Sequence, residues 1–402
     1  MASPSNPLTS TALQLQEQLE AGSLTSVQLT QLCFEQINKH NDSLNAMITV
    51  CPEDIVLARA TKLDQERQAG HVAGGSSSGS AVCVASGFSP LAIGTETTGS
   101  VVYPASLSGL YAVTLTRGAV SAEGVFKLSS SFDSIGAMAR DPYDLALLAS
   151  TLADDGTAAK SCDVSCFSAS GKWDGLSVGI TDVLWGIHET AEDKWGDSHV
   201  RATWQAAVEK MRSAGANVVH PMKLPAYDVV VHEKQTLHTV AYHEFPVQLA
   251  EFAKFFDGST GIRTLEDVVA WNVEHASEAL PEPYATQSEL EAALTQTMSE
   301  EEHRTAVSEL RRLAGRDGLE KAMRESEVDI VVSASDSLAV AFAGAAGWPI
   351  ATVPVGNLQT NGQPFGFFAV APSGREDLLF KFMGAFHATF PAIEKPSPSI
   401  YG

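Results

Sequence analysis

Residues 71–87 read HVAGGSSSGSAVCVASG. Two glycines, three serines, a glycine and a further serine lead directly into small apolar residues. The run is too short for a flexible linker and too local for a low-complexity tract. Its composition suits a tight loop whose backbone and hydroxyl groups lie close against another surface, because glycine permits approaches that a Cβ forbids. The sequence that follows fits a helix of small residues laid on something flat. SPLAIGTETTGS (89–100) then fits a buried strand running into a second glycine-rich turn, which carries Ser100. Two serine-bearing turns separated by one helix and one strand can meet in space. At a strand end, successive backbone N–H groups can converge on one negatively charged oxygen.

Other readings of the loop fail on their own requirements. Gly75-Ser76-Ser77-Ser78-Gly79 has the form of a G-x-S-x-G nucleophile elbow, but that motif needs a hydrophobic strand before it and RQAGHVA is a poor one. A phosphate-binding loop would end in Gly-Lys-Ser/Thr, where this chain has Gly79-Ser80, and the glycine spacing of a dinucleotide site is absent. No H-E-x-x-H occurs, and the two histidines of HEKQTLH (232–238) read as surface residues on an acidic segment. Taken alone, the loop could be a connector without chemistry; the second turn makes it specific.

The bulk numbers narrow the classes. The chain has 402 residues, 44% of them hydrophobic and 18% charged, with 48 acidic and 26 basic side chains and a net charge of −22. That supports a large core, while the absence of a Lys/Arg cluster argues against a nucleic-acid partner. The acidic surface would also be repelled by anionic membranes. The opening MASPSNPLTSTALQLQEQLE lacks a basic start and an apolar core, so no secretory leader is expected, and SLAVAFAGAAGWPIATVPVG is broken by Gly and Pro and reads as buried structure. Five cysteines do not make a disulfide scaffold, and Cys162 with Cys166 lacks the second pair a zinc site needs. A cytoplasmic protein with reduced thiols is expected.

Patterning organises the rest. Thr25 and Gln28 have capping-box spacing ahead of a first helix, and PEDIVLARATKLDQERQAG (52–70) predicts a second that stops at Gly70. LSVGITD, SHVRATWQAAVEKMRSAG and ANVVHPMKL give a strand–helix–strand rhythm. EVDIVVSAS, PIATVPVG and PFGFFAVA predict buried strands, and REDLLFKFMGAFHATF a closing helix. The reading is an α/β fold, a mixed sheet covered by helices on both sides, in a single domain over 1–402. Within it lie an N-terminal helical pair (1–70), a core at 74–150 and a helical substrate-side insertion at 232–325.

GGSSSGSAVCVASGFSPLAIGTETTGSVVYPA (74–105), continuing as GVFKLSSSFDSIGAMARDPYDLALL (124–148), resembles the amidase signature family. That family's hallmark is a GGSSGGS-type loop, a helix, GT(D/E)xxGS with Pro-Ala beyond, and a later Ser-x-Asp turn. LTSVQLTQLCFEQINKHNDSLNAMITV, RTLEDVVAWNVEHASEALP and GWPIATVPVGNLQTNGQPFGFFAVA look like its other landmarks. The resemblance implies the amidase-signature fold and cleavage of carbon–nitrogen amide bonds through an acyl-enzyme on Ser100. Ser76 takes the place of the bridging serine, whose peptide bond is cis in the family. Gly74, Gly75 and Ser77 belong to the signature loop. The amides of Thr97, Thr98, Gly99 and Ser100 match the oxyanion hole, and Asp133 falls on the Asp of the Ser-x-Asp turn, with a structural role. No metal or organic cofactor is implied. The partner expected is a small-molecule amide, with a homodimer left open.

The same resemblance implies a neutral lysine as base, on a strand between the second helix and the Gly/Ser loop. Here QERQAGHVA (65–73) joins directly to the loop, so that strand is missing and one or more interior strands with it. Lys62 reads as a surface residue; Lys127 is the lysine to test. A serine hydroxyl without a base is a weak nucleophile. Three readings therefore stay open: an amidase whose recorded sequence has lost a segment, an inactive amidase-like protein that binds a small amide ligand, and a repurposed acyl-transfer or lyase enzyme.

Overall fold

A computed structural model of the chain describes residues 18–19, 21–44, 53–68, 72–85, 89–157, 159–161, 173–187, 191–256, 258, 261–280 and 285–390. Gly70, Cys162, Cys166 and the side chain of Lys62 lie outside what is described. The chain divides into two compact units, one of residues 1–72, 359–362 and 394–402, the other of 73–358 and 363–393.

The first unit holds two described helices, Ser26–Leu44 and Glu53–Gln68. The capping box is formed as the spacing requires: Gln28 N–H donates to Thr25 Oγ1 at 3.1 Å and Thr25 N–H to Gln28 Oε1 at 2.9 Å. Asp64 of the second helix accepts from the Ser26 and Val27 amides at 2.6 and 3.2 Å, so one carboxylate fixes the start of the partner helix. Leu24, Phe34 and Ala60 are buried.

The second unit is built on an eight-stranded sheet in the order β1-β3-β2-β7-β8-β6-β4-β5. The strands are β1 Leu91–Glu96, β2 Tyr111–Thr114, β3 Ser134–Ala139, β4 Ser177–Thr181, β5 Asn217–Met222, β6 Ile330–Ala334, β7 Ile350–Asn357 and β8 Pro364–Val370. Pairing is antiparallel from β1 through β6, and parallel where β4 meets β6 and β5. The parallel step from β4 to β5 is the strand–helix–strand read in the sequence, its helix being Ser198–Ser213.

Central strands are apolar at nearly every position because both faces are covered. Side chains alternate between faces: Phe367 enters one core with Trp195, Trp204 and Phe386, while Phe368 enters the other with Phe342, Leu310 and Ile350. Pro142–Leu152, Ser198–Ser213 and Glu376–Thr389 supply the first layer, and Glu300–Arg311 and Ala339–Ala346 the second. A third, smaller core sits under the helix Ser78–Ala85, where Ala81 and Val84 meet Val101, Ala105, Ala112 and Met138. The mixed sheet with helices on both sides is the fold class expected. The described strands form one continuous sheet with β1 at its edge. No described helix is long and apolar enough to cross a membrane.

Candidate active site

The Gly/Ser loop and the turn after β1 come together. Ser77 N–H donates to the Ser100 carbonyl at 3.0 Å, a main-chain bond that ties the two serine-bearing loops. Gly74 has φ +68°, and a Cβ there would lie 2.9 Å from Leu107 Cδ1 and 3.2 Å from Pro104 Cα, so the loop packs on the helix Val102–Leu107 as only glycine can. Gly99, at φ +87°, makes the turn that presents Ser100. The Gly75–Ser76 peptide bond is cis, as the resemblance implies for the bridging serine.

Hydroxyl partners separate the four serines of the loop. Ser77 Oγ donates to Thr95 O at 3.3 Å, Ser78 Oγ to Gly74 O at 2.6 Å, and Ser80 Oγ to Ile93 O at 2.7 Å. Ser76 is exposed, and among the described residues its hydroxyl and that of Ser100 have no protein partner. Among the serines of the two loops, the two hydroxyls that take no part in holding them are those at the positions the resemblance assigns to chemistry.

Beneath the turn lies Glu96, the last residue of β1, 5% exposed. Its Oε2 accepts from Val101 N–H at 2.7 Å and Val102 N–H at 3.0 Å, and the Gly99 amide also faces the carboxylate. Burial pushes its pKa above the ordinary value, and these hydrogen bonds pull against that rise without cancelling it. Among the described residues the Thr97, Thr98 and Ser100 N–H groups have no protein acceptor. Sequence reasoning does not single out Glu96. The signal that could find it is an acid placed between two glycines at the end of an apolar strand.

Asp133 braces the turn from the other side. Its Oδ1 accepts from Thr97 Oγ1 at 2.6 Å and its Oδ2 from Leu128 N–H at 2.7 Å. Burial raises its pKa, and the bonds from Thr97, Ser129 and Leu128 oppose the rise. Lys127, next to Leu128, is half-buried on the same braced loop. The walls nearest the turn are apolar or aromatic. Val340 lies 3.4 Å from where a Gly99 Cβ would be, and the Tyr103 ring lies 3.3 Å from the same point on Gly74. Gly344 backs the turn so closely that a Cβ would sit 2.5 Å from Thr97 O. Among the described residues no group of three His, Cys, Asp or Glu could hold a metal ion.

Free amides beside an unengaged serine, on a turn braced by two carboxylates, are an arrangement that can stabilise an oxyanion. The pattern of the family described as Amidase matches residues 67–380, and the chain belongs to that family. It is 29% identical over 326 residues to a probable amidase of Arabidopsis thaliana, covering 80% of this chain and 61% of that one. It is 31% identical over 351 residues to a glutamyl-tRNA(Gln) amidotransferase subunit of Deinococcus radiodurans, covering 81% and 68%. The fold is shared with the native peptide amidase of Stenotrophomonas maltophilia at a TM-score of 0.69 and 24% identity, over 97% of this chain and 99% of that one. The chain thus spans 61% of the length of the Arabidopsis relative.

Proposed function

We propose that the protein is a serine hydrolase acting on carbon–nitrogen amide bonds, with Ser100 as nucleophile. Attack of Ser100 Oγ on the amide carbon would form a tetrahedral oxyanion held by the amides of Thr97, Thr98 and Ser100, with Gly99 setting the turn. Ser76 would pass the proton between Ser100 and the base, and finally to the leaving nitrogen. Collapse would leave an acyl-enzyme for water to cleave. The observation that supports this reading is the Ser77 N–H to Ser100 carbonyl bond of 3.0 Å, which ties the loop carrying Ser76 to the turn carrying Ser100. The ligand is a small-molecule amide. For the base, Lys127 has the strongest position, on the loop that Asp133 ties to Thr97.

A second reading is favoured by the direct joining of residues 65–73 to the Gly/Ser loop, which leaves no strand for a lysine. On that reading the protein keeps the site and binds an amide without turning it over. Loss of a positioned general base lowers rates by about 10²–10⁴-fold. A fluorophosphonate probe separates the two. Covalent labelling at Ser100 that vanishes in Ser100→Ala, with slowed labelling in Ser76→Ala, is the expected result; absence of labelling would favour the binder. Lys127→Met then tests the base, because a base there makes labelling fall steeply with its loss.

A further inference from the structure

Outside the serine site, a second buried acid is held by several donors at once. Glu244, on the helix Leu237–Ala253, is only 6% exposed. Its Oε2 accepts from Ser129 Oγ at 2.5 Å and from Ser131 N–H at 3.0 Å. Its Oε1 accepts from the Ser131 hydroxyl and lies 2.6 Å from His303 Nε2. The same three-serine loop is gripped by its carbonyls as well: Arg117 donates to Ser130 O, and Arg311 Nη2 donates to Ser131 O at 3.0 Å. Ser129 and Ser131 are buried, so their polar groups need partners, and one carboxylate supplies several at once.

The consequence is visible at the loop's far end. Asp133 N–H donates to Ser129 O at 3.2 Å, and Asp133 Oδ1 takes the Thr97 hydroxyl at 2.6 Å. An unbroken series of hydrogen bonds therefore runs from His303 through Glu244, Ser129 and Asp133 to Thr97, three positions before Ser100. We propose that Glu244, oriented by His303, is a positioning residue: it fixes the 128–133 loop so that Asp133 holds the Thr97–Ser100 turn in the register oxyanion stabilisation needs. This rests on Ser100 being the nucleophile, and it assigns a role in that chemistry to the helical segment beyond residue 232.

The test is a double-mutant cycle on fluorophosphonate labelling, using Glu244→Gln and Thr97→Val, which cut the series at opposite ends. Misplacing a reacting group by about 1 Å costs up to about 10²-fold in rate. Each single variant is expected to lose up to that factor in the inactivation rate constant, with little change in the concentration dependence of probe binding. The double variant should lose no more than the worse single one, because a cut series cannot be cut twice. Losses that multiply would overturn the proposal. Should Glu244→Gln fold poorly, Ser129→Ala removes the hydroxyl through which the series passes and leaves both Ser131 bonds to Glu244, so it serves in the same cycle. If the wild-type protein does not label at all, the nucleophile reading has failed, and hydrogen exchange still decides the positioning. In Glu244→Gln, amides of 97–102 should exchange faster together with those of 128–133, and unchanged exchange at 97–102 would refute the connection.

Discussion

Glu96→Ala tests the site at its foundation. The carboxylate accepts two main-chain N–H groups, from Val101 at 2.7 Å and Val102 at 3.0 Å, at the start of the helix that follows Ser100. Both donors and acceptor are buried. Removing the acceptor leaves two buried N–H groups unsatisfied, at about 1–3 kcal/mol each. Against this, alanine removes a charge that burial disfavours, which is why the Glu96 pKa is raised. Hydrogen bonds to a charged acceptor are worth about 1.5–3 kcal/mol each, so the lost bonds outweigh the relief and a net destabilisation of about 2–4 kcal/mol is expected. With an unfolding entropy of about 2.1 cal/mol/K per residue, that lowers Tm by roughly 3–6 °C in a body of this size. Calorimetry or circular dichroism reads the shift, and probe labelling at Ser100 reads the chemistry, expected to slow by about 10²-fold or more as the free amides lose their aim. Glu96→Gln keeps a carbonyl oxygen for the same donors and should lose less on both counts. A Glu96→Ala protein with unchanged Tm and undiminished labelling would show that the turn is held by something else.

The two glycines that let the site close should be intolerant of a methyl group. In Gly94→Ala the new Cβ would sit 2.6 Å from Ser77 Oγ and 3.0 Å from Val101 Cγ2, and in Gly344→Ala 2.5 Å from Thr97 O. Each should cost about 1–3 kcal/mol in denaturant unfolding and slow labelling at Ser100, because the displaced atoms belong to the two joined loops. The two buried glutamates should titrate with opposite effects on stability. Glu96 has a raised folded pKa, so the stability it adds is complete below its ordinary value of 4.5 and is lost as pH rises through the raised value. Glu244 is pushed up by burial but held below 4.5 overall by Ser129, Ser131 and His303. Its contribution is therefore present above 4.5 and lost as pH falls through the lower value. Melting curves across acid and neutral pH should show the first slope vanish in Glu96→Gln and the second in Glu244→Gln. In the sheet, Phe367→Ala and Phe368→Ala empty opposite cores. Each is expected to cost about 3–5 kcal/mol, nearly additively where the cavities share no partners.

What could be read from sequence was whatever local pattern decides. Short apolar runs bounded by turn residues announced β4, β6, β7 and β8, and the capping pair Thr25–Gln28 announced the first helix, because both signals lie within a few residues. The serine loop and the turn at Ser100 were legible as family landmarks, because their glycine and serine motifs stand in order a short distance apart. Sheet order was not legible. Nothing in LAIGTE says that β1 is an edge, since which strands pair is settled by segments far apart in the chain. The bracing acids were equally hidden. Glu96 looks like one more polar residue near a turn, and Glu244 sits in a helix among histidine, phenylalanine and proline, where an acid ordinarily faces water. Their importance comes from donors more than a hundred positions away for Glu244, and from the reversal of the chain at Gly99 for Glu96.

The edge position of β1 also explains why one loop needs so many serines. An edge strand carries carbonyls and amides that the sheet does not pair, and these invite another strand unless something covers them. Ser80 and Ser77 donate their hydroxyls to the carbonyls of Ile93 and Thr95, residues of that strand, while Ser78 closes the loop on Gly74. The helix that follows the loop lies along the same strand and buries Ala81 and Val84 on its inner side. Serine is the residue suited to this work, because its short side chain reaches a neighbouring carbonyl without filling the space glycine has opened. Two of the loop's serines thus answer a structural demand created by the end of the sheet, and a third, Ser78, answers the loop's own closure. Ser76 is left over. A hydroxyl with no structural duty, on a loop bonded through its next residue to the turn of Ser100, is the one for which a chemical task is the remaining reason.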